Sequence, residues 1–279
     1  MSAHPAVLVD NGGSGTRFAL ATGGELDLEP PVQLGDYQHL VRAIRDRCRR
    51  PPVVGISMAG IVDSKKGYVR LCRHWPWAEG DLRCRLENDL DCPVVIMNDG
   101  EAHGYAMLRT PAVEFGAVSI SLGTSVGVGI IDADRHVVRP LTGENWELGH
   151  WPLHTQASNR SVWWALGSPG LAELETRRGD RAGKKHFGYR LGAFITQLTG
   201  VFQMRSVVLS GGLAQSCWPY MRPALLAELS NLSSDFGRPE IILSPHAEAA
   251  LVGVAHALGV VLEPAPSTEP RLLATGVSD

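Results

Sequence analysis

Two stretches of this chain carry the same device, and any fold for it must house both. Residues 6–20 read AVLVDNGGSGTRFAL and residues 117–131 read AVSISLGTSVGVGII. Each is an apolar strand, a loop of Gly, Ser or Thr, and a returning strand, which is a hairpin pattern. In the first loop, Gly12, Gly13 and Gly15 let backbone N–H groups approach anionic oxygens, and Ser14 adds a hydroxyl donor. Asp10 puts a carboxylate where a divalent cation can sit. No G-x-x-x-x-G-K-[ST] occurs and no helix follows directly, so this is not a Walker loop. One such loop is by default a turn. Two in corresponding places imply two lobes with a cleft between them and an anionic ligand gripped from both sides.

Between and after the two hairpins, strand and helix patterns alternate, which predicts α/β layers. Leu40, Val41, Ile44 and Cys48 recur at helical spacing. Val53–Ser57 reads as a strand and Tyr68–Leu71 as a short one. Asp81 caps a helix bearing Leu82, Leu86 and Leu90. Val94–Met97 is a fully apolar strand ending at Asn98-Asp99, with a helix from Gly100 to Ala106. Later come an amphipathic helix through Leu191, Phe194, Ile195, Leu198 and Phe202, and a buried strand Ser206–Leu209 running into Ser210-Gly211-Gly212. A helix with Met221, Leu225 and Leu229 on one face, a strand Ile241–Leu243 and a helix Ala247–Leu258 complete the pattern. We expect lobes at residues 1–110 and 111–262, the last helix packing back on the first lobe, and a disordered Pro/Ser-rich tail at 263–279.

A net charge of −3 offers no footprint for nucleic acid or a membrane surface. No apolar run approaches the roughly 18 residues a span requires. The five cysteines are odd in number, scattered and free of C-x-x-C pairs, as expected of packed thiols in a reducing compartment. With no secretory signal at the start, the expectation is a cytoplasmic protein.

Six blocks stand in order: DNGGSGTR, VVGISMAGIVD, VVIMNDGEAHG, ISLGTSVGVGI, ENWELGH and VVLSGGLA. In that order they resemble the ROK family of sugar kinases, within the actin-like ATPase and hexokinase superfamily. The resemblance implies a two-lobed actin-like, ribonuclease H-like fold and transfer of the γ-phosphoryl of ATP to a hydroxyl of a hexose or hexose-like substrate: glucose, an amino sugar or a cyclitol. It implies that Asp10 holds hydrated Mg²⁺, with Gly12, Gly13 and Ser14 on the donor phosphates. Gly123 and Thr124 would form the second phosphate loop, and Gly211 and Gly212 would lie near the ribose and base. Asp99 would be the catalytic base, and Gly60, Asn98, Glu147, His150 and Glu173 would bind the sugar. It favours a homodimer. No winged-helix segment precedes Val7, so kinases are expected rather than the family's repressors.

Chemistry fits these roles. Phosphoryl transfer asks for positioning and charge neutralisation, and a hydroxyl nucleophile needs a base at a rigid position. Each residue alone has a plainer reading: Asn-Asp after a strand is most often a turn or helix cap, and His150 beside Trp151 could be a core histidine. Order and co-occurrence carry the functional reading. Family zinc cysteines are replaced by Trp164, Leu166 and Leu171, so no structural zinc is expected and Trp163, Trp164 and Leu166 should pack there instead. The segment Cys72-Arg73-His74-Trp75-Pro76-Trp77 is more basic and aromatic than a glucose pocket needs. Alternatives are a polyphosphate-dependent glucokinase, which the Gly-Gly-Ser-Gly loop resembles, and a non-catalytic sugar-binding protein.

Overall fold

The computed structural model describes residues 5–13, 15–155, 158–232 and 237–263, without the side chains of 154–159. Ser14 and the tail beyond Glu263 lie outside the described residues.

The first half runs β1 (Ala6–Gly12), β2 (Gly15–Thr22), β3 (Glu25–Leu28), α1 (Tyr37–Arg47), β4 (Val54–Met58), β5 (Ile61–Asp63), β6 (Tyr68–Leu71), β7 (Gly80–Asp81), α2 (Leu82–Leu90), β8 (Val94–Asn98) and α3 (Asp99–Met107). The second runs β9 (Ala117–Leu122), β10 (Val126–Ile131), β11 (Pro152–Thr155), β12 (Ser158–Ser161), α4 (Val162–Leu166), α5 (Ser168–Arg178), α6 (Asp180–Phe202), β13 (Ser206–Ser210), α7 (Gly212–Leu229), β14 (Glu240–Leu243) and α8 (Ala249–Ala257). Both hairpins form, with Val9 opposite Phe18 in one and Ile120 opposite Val128 in the other.

Each hairpin opens a sheet. The first has the order β3-β2-β1-β4-β8, antiparallel on the hairpin side and parallel through β1, β4 and β8; the second is β10-β9-β13-β14. Along β1 the side chains alternate between cores, as the two-residue period of a strand requires. Val7 and Val9 pack with α1 and α2, whereas Ala6 and Leu8 face the layer formed by α3 and α8. In the second half, Val118, Ile120 and Leu122 of β9 face the core shared with α5, α6 and α7. Helix α6 is longer than the apolar stretch Leu191–Phe202 predicts, because Gly183 and Phe187 are buried too. The short segments β11, β12 and α4 were not legible in the pattern, since they are held by packing under the second sheet rather than by their own periodicity.

Helix α3 is wedged between β10 and α8 with no room for side chains. A Cβ at Gly129 would stand 2.3 Å from the Gly100 carbonyl oxygen, and one at Gly253 would stand 1.8 Å from that of Ala102. Glycine at these positions lets three backbones meet directly. That contact joins the two sheets and fixes the start of α3, where Asn98 and Asp99 sit.

Candidate active site

A cavity of about 660 Å³ opens between the sheets. Asp10, Gly12, Gly13, Gly60, Asn98, Asp99, Gly123, Thr124, Glu147, His150 and Gly211 all line it, so residues spread from one end of the chain to the other converge. The two Gly-rich loops face one another across it. A Cβ placed on Gly13 would lie 2.9 Å from the Thr124 side chain. Gly211 has a φ of +89°, and a Cβ there would be 2.4 Å from the Leu122 carbonyl oxygen, so the turn after β13 hugs the second loop. Gly212 begins α7 and is not among the lining residues.

Asp99 occupies the first turn of α3, where the backbone N–H of Gly100 donates to Oδ1 at 2.9 Å. A helix N-terminus favours a carboxylate, yet burial wins, reinforced by the Asp10 charge and more weakly by Glu147: the Asp99 carboxyl is pushed up to about 7. Asp10, at the end of β1, accepts a hydrogen bond from Ser57 Oγ at 2.9 Å. Burial, with the charge of Glu248, overrides Ser57 and Arg17 and raises it to about 6. Asp10 is held up by burial and Glu248 and in turn raises Asp99, a buildup of negative charge that a divalent cation would relieve, so the donor set fits hydrated Mg²⁺ beside Asp10. Facing backbone loops at Gly12, Gly13, Gly123 and Thr124 fit an oligophosphate.

Asn98 does what the plainer reading said as well as lining the cavity. Its Oδ1 caps α3 by accepting from the Glu101 N–H at 3.3 Å, and its Nδ2 donates to the Gly60 carbonyl at 2.9 Å. That bond ties the α3 start to the β4–β5 turn. Gly60 has a φ of +142°, and a Cβ there would meet the Leu71 carbonyl oxygen at 2.3 Å. Glu147 Oε2 lies 3.3 Å from His150 Nε2, and this histidine is largely exposed rather than part of the core.

The structure does not bring Glu173 to the cavity. Its carboxylate reaches Arg177 at 2.9 Å and the buried Arg190 at 3.7 Å, on the face of α5 that meets α6. Two guanidiniums hold it there, and the neighbouring Glu175 faces Lys184 at 3.8 Å instead. At the positions of the family's zinc cysteines, Leu166 and Leu171 are buried in the second core and Trp164 packs against it beneath Arg160. Trp163 differs from expectation: it is 42% exposed and lines the cavity.

Sequence reading missed Asn145. Its Nδ2 donates to Glu147 at 2.7 Å while its Oδ1 accepts from the Val62 N–H at 2.9 Å, so one buried amide aims Glu147 and anchors β5 to the second half. Glu101 and Arg139 pair across the same junction, with Ser64 donating to Glu101 at 2.6 Å. Both residues lie inside blocks already quoted, ENWELGH and VVIMNDGEAHG, but nothing local signals such long-range partners. Arg73 and His74 line the cavity, as does His103, which the family resemblance did not single out.

Residues 36–162 match the ROK family. The xylose repressor of Bacillus subtilis (strain 168) is 22% identical, over 82% of this chain and 72% of its own length. A ROK family transcriptional regulator, a homologue of the E. coli MLC protein, superposes with a TM-score of 0.78 at 18% identity, covering 93% of this chain and 78% of its own. A ROK family glucokinase from Streptomyces griseus, solved with glucose and AMPPNP, superposes with a TM-score of 0.71 at 20% identity, covering 91% and 98%. The motif-bearing segment matches the ROK family, and the chain shares the α/β fold of solved ROK-family proteins.

Proposed function

We propose that the protein is a kinase that moves the γ-phosphoryl group of ATP to a hydroxyl of a hexose or hexose-like polyol, a sugar or cyclitol. One observation carries the reading: a carboxylate raised to about 7, Asp99, shares a cavity with two facing Gly-rich loops and a second carboxylate. Asp99 accepts the proton as the hydroxyl oxygen bonds to phosphorus and ADP leaves with the electrons of the broken P–O bond. A base whose pKa lies near working pH is suited to that task. Asn145 orients Glu147, and Glu147, His150 and the Gly60–Asn98 turn offer acceptors and donors to the polyol. The Gly12-Gly13 and Gly123-Thr124 loops hold the donor phosphates. Mg²⁺, held by Asp10 through water, would neutralise donor charge when bound. Closure of the halves would exclude water and limit hydrolysis of ATP. The donor is ATP in this reading because a relative of the same fold holds AMPPNP with its sugar.

The test is ADP release from ATP and Mg²⁺ over a panel of hexoses, amino sugars and cyclitols, repeated with polyphosphate in place of ATP. Turnover with one acceptor, lost in Asp99→Asn, is the expected result. A second reading is favoured by the similarity to a xylose repressor: a sugar-binding regulator without transfer. Saturable sugar binding with no product from either donor would establish it and end the kinase reading.

A further inference from the structure

His103 stands one helical turn beyond Asp99 on the same face of α3. Its Nδ1 lies 2.8 Å from Ser210 Oγ. Ser210 is the last residue of β13 and pairs in register with Ser121 of β9, so the imidazole sits under the strand ends that launch Gly211 and the Gly123-Thr124 loop. It lines the cavity, and the Ser210 contact places it on the side of the second loop. Among the described residues His103 joins no ion pair, and its Nε2 has no hydrogen-bond partner. Burial holds its pKa down to about 4, so the ring is neutral and offers one N–H.

Resting on the kinase reading, we propose that His103 binds the phosphate chain of the nucleotide donor through Nε2–H, with Ser210 holding the ring in that tautomer. Phosphate oxygens accept and do not donate, so they select the ring with its proton on Nε2. Nδ1 is then a lone pair, and the Ser210 hydroxyl turns to donate to it. The second loop otherwise presents backbone N–H groups and the Thr124 hydroxyl; His103 adds a side-chain donor from the helix that carries the base. Asp99 and the donor phosphates are thereby referenced to one rigid element, itself clamped by β10 and α8.

Titration calorimetry on the full chain separates this from a packing role. The probes are ADP with Mg²⁺ and adenosine, which lacks phosphates; the variants are His103→Ala, His103→Gln and Ser210→Ala. His103→Ala should weaken ADP about tenfold, the effect of one hydrogen bond to a charged group, and leave adenosine unchanged. His103→Gln, with an amide N–H, should recover most of the loss. Ser210→Ala should fall between. Under turnover the KM for ATP should rise more than kcat falls. Unchanged ADP affinity in His103→Ala overturns the proposal, as does equal loss of ADP and adenosine. A wild-type chain that binds neither probe overturns the kinase reading and this proposal with it, whereas a wild type that binds ADP beside an unaffected His103→Ala overturns the proposal alone.

Discussion

Replacing Asp99 by Asn should abolish transfer and yet stabilise the fold at alkaline pH. The carboxyl is raised from an unfolded value near 3.8 to about 7. A raised acid binds more protons folded than unfolded, so its contribution is complete below the unfolded pKa and is lost as pH rises through the folded one. Above pH 7 the native protein carries an ionised carboxylate in surroundings that oppose it. About three units at 1.36 kcal/mol each set a ceiling of roughly 4 kcal/mol; discounting for the face open to the cavity leaves about 2 kcal/mol. Asparagine has the same shape and its Oδ1 can still accept from the Gly100 N–H, so the capped start of α3 survives. Thermal or urea unfolding of both proteins at pH 5 and pH 8 is the assay. Because pH 5 already lies above the unfolded pKa, part of the penalty is present there, and the variant's advantage should be about 1 kcal/mol larger at pH 8 than at pH 5, a Tm gain of a few degrees. An equal difference at the two pH values, or a less stable variant at pH 8, would refute the claim that burial and Asp10 oppose this charge.

If Asp99 is the base, kcat/KM should climb about tenfold per pH unit on the acid side and level off above about 7, because only the ionised form accepts a proton; a pH-independent rate between 5.5 and 8 would remove it from that role. Asn145→Ala should release Glu147 and the β5 anchor together, raising the acceptor KM by about tenfold from lost hydrogen bonds while nucleotide affinity stays unchanged in calorimetry. Gly253→Ala would put a methyl 1.8 Å from the Ala102 oxygen, so it should cost about 1–3 kcal/mol in chemical denaturation, and full stability would mean that α8 has room to shift.

Local chemistry made much of the site readable. Asp10 and the Gly12-Gly13 loop could be named because a strand ending on Gly residues has few other uses when it recurs. Asn98-Asp99 could be placed at the end of a buried strand from the apolar run before them, and the roles expected of them came from the family resemblance. Glu173 shows the limit: the family resemblance pointed it at a sugar, but its carboxylate goes to Arg177 and to Arg190, which lies on another helix. Likewise Trp163 and Trp164 are adjacent in sequence, and the turn of α4 puts one on the cavity and the other against the core.

The sequence by itself determined the two hairpins, the α/β alternation and most residues of the two loops, since period and turn chemistry act over a few residues. Tertiary structure alone decided which groups face each other. The closeness of Gly13 to Thr124, the elevation of Asp99 by Asp10, the Asn145 fork and the His103–Ser210 pair all depend on strands far apart in the chain. Desolvation and Coulomb terms depend on what surrounds a group in space, and here that is set by three backbones meeting at glycines on α3, β10 and α8.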